Sequence, residues 1–170
     1  MVYKKFQDLE LSALGMGAMR LPLSSDNDAD IDEKATAEMV AYAMEKGINY
    51  YDTAWGYHNG QSEIVMGKIL RQYPRDSYYL ASKFPGYDLS NMDKVEEIFE
   101  KQLEKTGMEY FDFYLFHNVC EINIDAYLDN EKYGLLGSNK STEDTIKLFP
   151  RECKDFVLEI QKLILDATGK

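Results

Sequence analysis

Apolar positions along this chain recur in two rhythms that alternate. In "IDEKATAEMVAYAMEKG" (residues 31–47), Ala35, Met39, Ala43 and Met44 share one side of a helix that opens on acids and ends at Lys46-Gly47. "INYYDT" then becomes a continuous β-branched and aromatic run, the signature of a buried strand. "SEIVMGKILRQYP" predicts a short helix stopped by Pro74, and "SYYLASK" a strand. "SNMDKVEEIFEKQLEKTG" predicts a helix with Ser90 as N-cap and Gly107 just past its end. Its half-buried face is Val95, Ile98, Phe99, Gln102 and Leu103. "YFDFYLFH" is a strand rich in aromatics. Ahead of all these, "YKKFQDLELS" reads as short extended pieces turning at Asp8–Glu10, and "ALGMGAM" as a compact apolar strand.

The resulting order, β-β-α-β-α-β-α-β, predicts an α/β fold with a parallel sheet covered by helices. The nearly unbroken apolar strands fit burial on both faces. After residue 117 the rhythm fades. "STEDTIKLF" predicts a short helix capped by Ser141 and stopped at Pro150, and "FVLEIQKLILDATG" a stronger one. No linker or low-complexity segment separates these parts. The chain therefore reads as one domain over residues 1–170, with 131–170 divergent and helical.

Composition narrows the partners. The 170 residues suffice for one core, and the net charge of −11 argues against nucleic acid and against an anionic membrane surface. No apolar stretch approaches the roughly 20 residues of a bilayer span. "MVYKKFQDLE" is charged and has no apolar core, so it does not read as a signal peptide. Cys120 and Cys153 form no CxxC and have no histidine cluster beside them, so neither a metal site nor a disulfide framework is expected. Free cysteines suit a reducing, cytoplasmic setting.

Candidate chemistry lies at the strand ends. "INYYD" ends at Asp52, "YYLASK" at Lys83 and "FDFYLFH" at His117. They recur at the roughly 30-residue spacing of a strand-helix unit. In a parallel sheet such ends converge on one side, where α/β folds place their sites. A lysine beside a carboxylate stays charged, and a tyrosine beside that ammonium, here Tyr57, has its phenolate favoured and can give a proton. A histidine can orient a carbonyl oxygen. The set suits protonation of a carbonyl oxygen while another group delivers hydride. Taken singly, each residue has a plainer reading: Asp52 as a loop cap, Lys83 as a solvated strand end, His117 as a satisfied core histidine, Trp55 as rim packing.

Four segments together resemble the aldo-keto reductase family of (β/α)8 barrels. "LGMGAMRL" resembles its first barrel strand, and "GINYYDTAWGYHNGQSEIVMGKIL" its signature segment. "YYLASKFP" and "EYFDFYLFHNV" resemble its lysine and histidine strands. The resemblance covers about residues 1–130 and is closest to microbial reductases that often carry a C-terminal iron-sulfur module. It implies reduction of aldehyde or ketone carbonyls to alcohols with NADPH, NADH being the other candidate. Tyr57 would be the proton donor, Lys83 would pair with Asp52, and His117 would orient a small-molecule carbonyl substrate. Gly17, Ala18, Met19 and Asp52 would lie at the cofactor, and Trp55 with His117 in the substrate pocket. The opening hairpin would be the plug at the barrel's bottom. Ser138 and Asn139 resemble the pair that holds the cofactor's carboxamide.

The chain also departs from that family. A whole barrel takes about 250 residues, so the expected fold is a partial (β/α)8 TIM barrel. It would have about four parallel strands, flanking helices, an N-terminal hairpin and C-terminal helices. No basic loop for a 2′-phosphate is found, and two scattered cysteines cannot ligate an iron-sulfur cluster. A homodimer that completes the ring would cover exposed strand edges. Two alternatives to an active reductase stay open: a truncated, catalytically inactive fragment, and a regulatory or binding domain.

Overall fold

The computed structural model describes residues 1–129. The two C-terminal helices expected from the sequence, and the Ser138–Asn139 pair, lie outside those residues. The chain forms two compact units, Met1–Lys83 with Lys101–Leu115, and Phe84–Glu100 with the chain from Phe116.

The first unit opens on an antiparallel hairpin, β1 (Tyr3–Phe6) and β2 (Leu9–Ser12), in the register Tyr3 to Ser12 and Phe6 to Leu9. Its turn falls on Gln7-Asp8, a residue earlier than the sequence suggests, and Gln7 takes a left-handed φ of 51°. Then follow β3 (Met16–Gly17), α1 (Glu33–Glu45), β4 (Tyr50–Asp52), α2 (Gln61–Leu70), β5 (Tyr79–Phe84), α3 (Val95–Thr106) and β6 (Phe113–Phe116). The four strands β3-β4-β5-β6 stand in chain order in one parallel sheet. This is the strand-helix alternation expected from the pattern.

Alternation along the strands sorts their side chains. Tyr50 and Tyr79 meet Phe113 at centroid distances of 5.4 and 6.3 Å. Phe6 of the hairpin reaches the same ring at 6.0 Å. Asn49 fixes the hairpin there. It accepts from the Ser12 N–H at 2.8 Å, and its amide donates to the Glu10 carbonyl at 2.8 Å. Tyr51 and Leu80 take the opposite face and are fully buried, as are Met66 and Leu70 of α2. Each aliphatic side chain of this size contributes about 1.5–3 kcal/mol on burial. Where α2 meets α3 only glycine fits, because a Cβ at Gly67 would lie 2.2 Å from the Thr106 carbonyl oxygen.

Two sequence expectations are corrected. The buried face of α1 is Thr36, Val40 and Ala43, while Met39 is exposed. Thr36 can be buried because its hydroxyl donates to the Asp32 carbonyl at 2.8 Å, so its polarity hides a core position. Asp32 also caps the helix, its Oδ1 accepting from the Ala35 N–H at 2.9 Å. In the second unit, α3 begins at Val95 and not at Ser90. Asp88 instead caps a 3-10 turn over Leu89–Asn91 by accepting from the Ser90 N–H at 3.0 Å.

The second unit also holds α4 (Ile124–Leu128). Tyr127 packs edge-on against Phe84 at 6.3 Å and tilted against Phe116 at 4.7 Å. The buried Asn123 accepts from the Cys120 N–H at 2.8 Å and donates to the Asn118 carbonyl at 3.0 Å. Among the described residues no helix is long and apolar enough to cross a membrane.

Candidate active site

Asp52 closes β4 and lies opposite Ala81 of β5. Lys83 stands two residues further along β5, on the same face as Ala81. Its flexible stem brings the ammonium onto Asp52 Oδ1, and Nζ also donates to the Thr53 carbonyl at 2.8 Å. The side chains are largely withdrawn from water, at 12% exposure for Lys83 and 25% for Asp52. The same ammonium lies 4.7 Å from the centroid of the Tyr57 ring, a cation–π contact with the ring face. Lys83 is thus brought together with Asp52, 31 residues before it, and with Tyr57 of the loop that follows Asp52.

The loop that carries Tyr57 is unusual. Its N–H donates to the Ala54 carbonyl at 3.2 Å. Then His58, Asn59 and Gly60 follow with φ of 53°, 53° and 86°. Consecutive left-handed residues other than glycine are costly and persist only where the surroundings fix them. His58 supplies that fixation. It is buried, and its Nε2 accepts from the Leu21 N–H at 2.9 Å. That assignment puts the ring proton on Nδ1, which donates to the Asp28 carbonyl at 2.9 Å, with Asp28 Oδ1 at 3.2 Å. The Tyr57 loop is thereby tied to the segment after β3.

That segment holds Gly17, Ala18 and Met19. Gly17 pairs with Asp52, and the Ala18 N–H donates to the Asp52 carbonyl at 2.8 Å. Ala18 is buried, and its carbonyl accepts from the Ser62 hydroxyl at 2.9 Å. Ser62 also bonds Thr53 Oγ1 at 2.9 Å. Gly17 and Met19 face outward, and a Cβ at Gly17 would meet nothing within 4 Å.

Behind these strand ends lies a buried polar cluster. Glu63, in the first turn of α2, has no exposed side-chain surface and pairs with Lys105 of α3 at 2.6 Å. Its other oxygen accepts from Ser82 Oγ and from Gln102 Nε2, both at 2.6 Å. Gln102 Nε2 also donates to the Lys83 carbonyl at 3.1 Å, and its Oε1 accepts from the Tyr114 hydroxyl at 2.5 Å. Lys105 Nζ lies 4.6 Å from the Trp55 ring centroid and 3.4 Å from the Trp55 carbonyl oxygen.

His117 belongs to the second unit. Its N–H donates to the Phe84 carbonyl at 3.0 Å, and its half-buried ring meets Tyr87 edge-on at 5.1 Å. Sequence reasoning placed Gln102 on the half-buried face of its helix without a role at the site, and missed Glu63 and the structural part of His58. A signal for Glu63 exists: it shares the spacing of the buried Met66, Gly67 and Leu70, so a carboxylate falls on an apolar face. Nothing in sequence marks His58, whose partners at Leu21 and Asp28 come only with the fold.

Comparison with known proteins agrees. The model of the Aldo/keto reductase family matches residues 13–147. A probable aldo-keto reductase of Glycine max is 29% identical over 157 residues, covering 83% of this chain and 45% of the relative. The NADH-specific methylglyoxal reductase of Escherichia coli strain K12 is 25% identical over 127 residues, covering 65% and 39%. An aldo-keto reductase from Klebsiella pneumoniae, solved with NADPH, is similar in fold with a TM-score of 0.57 at 22% identity. That similarity covers 76% of this chain and 46% of the other. The chain thus spans less than half the length of these proteins. The match over 13–147, the parallel strand order and the likeness in fold lead to one conclusion: the chain belongs to the aldo/keto reductase family, and its described strands are part of a (β/α)8 barrel.

Proposed function

We propose that this chain carries the proton-donating part of a nicotinamide-dependent reductase that turns aldehyde or ketone carbonyls into alcohols. The observation that carries the proposal is the Lys83 ammonium, held by Asp52 and the Thr53 carbonyl and set against Tyr57. As a substrate carbonyl oxygen gains negative charge, the Tyr57 hydroxyl gives it a proton. The adjacent ammonium stabilises the charge left on the phenol. Asp52 and the Thr53 carbonyl together keep the ammonium in place and leave it little freedom. His117 is proposed to orient the substrate carbonyl, and Trp55 to line its pocket.

The residues present fit a nicotinamide cofactor. Gly17 leaves open space beside its backbone, next to the carboxylate strand end at Asp52. Gly17, Ala18, Met19 and Asp52 would hold it, and when bound it would supply hydride, which no side chain of this cluster can. NADPH is the proposed cofactor, as in the Klebsiella pneumoniae complex, and the NADH-specific relative makes NADH the comparison to run. A second copy of the chain is proposed to add strands at the edges of the sheet, and a monomer by light scattering rejects that assembly.

The test replaces Tyr57 with Phe and follows carbonyl-dependent NADPH oxidation together with cofactor binding. Reduction is expected to vanish while binding stays nearly unchanged. Equal loss of both contradicts the role of Tyr57. A second reading is a binding domain that keeps these residues by descent. In that case the wild-type chain shows no reduction with any carbonyl tried.

A further inference from the structure

We infer that Glu63 and Lys105 form a positioning pair for the site, acting on Tyr57 through Trp55 and on Lys83 through Gln102. The inference rests on the proposed role of Tyr57. Glu63 is a fully buried carboxylate, and burying such a charge is unfavourable unless it is paired and hydrogen-bonded. Here both requirements are met. One oxygen takes the Lys105 ammonium at 2.6 Å, and the other takes Ser82 and Gln102. A buried ion pair is poor support for a purely stabilising role, because well-packed neutral replacements often serve as well.

What distinguishes this pair is where its remaining contacts go. Lys105 Nζ reaches the carbonyl and the ring of Trp55, two residues before Tyr57. Gln102, held by Glu63 and by Tyr114, donates to the carbonyl of Lys83 itself. Ser82, bonded to Glu63, precedes Lys83 on β5. One carboxylate therefore fixes the loop of the proton donor and the strand of the ammonium against each other. The ring of Trp55 is held by the same cation, so the pair also sets one wall of the proposed substrate pocket.

The contact can be read without activity, because Trp55 is the chain's single tryptophan. The 170-residue chain is compared with Lys105→Arg, with Glu63→Gln, and with the neutral pair Glu63→Gln/Lys105→Met. The readouts are thermal unfolding, acrylamide quenching of Trp55 fluorescence, and kcat and KM for NADPH-dependent reduction of methylglyoxal. The neutral pair is expected to unfold near the wild-type temperature, yet show stronger quenching and a kcat lower by about tenfold or more, since small misplacement near reacting groups is costly. KM is expected to change less. Lys105→Arg keeps a cation over the indole and should restore both readouts.

Wild-type quenching and kcat in the neutral pair overturn the inference. Should that variant not fold, Lys105→Gln against Lys105→Arg carries the same comparison, since the Gln amide can still donate to Glu63 Oε2 but puts no cation on the Trp55 ring, and wild-type quenching and kcat in Lys105→Gln overturn the inference. If the wild-type chain reduces no carbonyl, the proposed function fails. The quenching readout then decides on its own whether the pair holds the Trp55 loop.

Discussion

Lys83 is the residue on which the candidate site turns, and its three contacts are not equivalent. Asp52 supplies charge, the Thr53 carbonyl supplies direction, and Tyr57, which the ammonium faces, is the proposed proton donor. Removing the ammonium by Lys83→Met takes away the charge that favours proton release, and carbonyl reduction should fall by about 10²–10⁴-fold. Asp52→Asn leaves the ammonium bonded to Thr53, so its kcat should fall less. Steady-state rates of the two variants decide the ranking, and a larger loss in Asp52→Asn contradicts it. These residues were legible in sequence because a charged side chain ending an apolar strand stands out against its neighbours. Glu63 was legible only as a carboxylate on an apolar helix face, and His58 not at all. Each is explained by partners 19 to 42 residues away, whose proximity no local pattern encodes.

Element by element, the strands were read more faithfully than the helices. A buried strand announces itself by a run of apolar residues, and β4, β5 and β6 fall within the predicted runs. On helix α1 the expected face shares only Ala43 with the buried one, because a satisfied threonine passes for a surface residue. Helix α3 was started early because a serine two residues after Asp88 imitates a cap. Strand β4 also sets an alkaline limit on the fold. Burial pushes the hydroxyls of Tyr50 and Tyr51 well above the ordinary tyrosine range, and the charge of Asp52 adds to the shift of Tyr50. The folded chain then keeps protons that the unfolded chain releases near pH 10. Stability is therefore full below that pH and falls as pH rises beyond it. Ultraviolet titration of the 13 tyrosines should show a fraction that ionises only as near-ultraviolet dichroism is lost. Complete ionisation in a chain with intact dichroism contradicts the burial of β4.

For the molecule as a whole, the parallel sheet and its order followed from alternation, and the hairpin's place at the strands' N-terminal ends followed only from the family resemblance. The packing of Phe6 on Phe113 gives that hairpin its physical reason, since it covers the buried Phe113 ring and half-buries Phe6. The division into two units left no trace in sequence, because its boundaries fall inside β5, α3 and β6, with no linker to mark them. The central claim is that the cluster around Lys83 serves a nicotinamide-dependent reduction. It is tested most directly by titrating the 170-residue chain with NADPH and following the fluorescence of Trp55, which sits two residues from Tyr57. Saturable quenching, abolished by unfolding and weaker or stronger with NADH, is the expected result. An unchanged emission at millimolar NADPH and NADH, from a chain whose thermal unfolding is also unmoved by either, contradicts it.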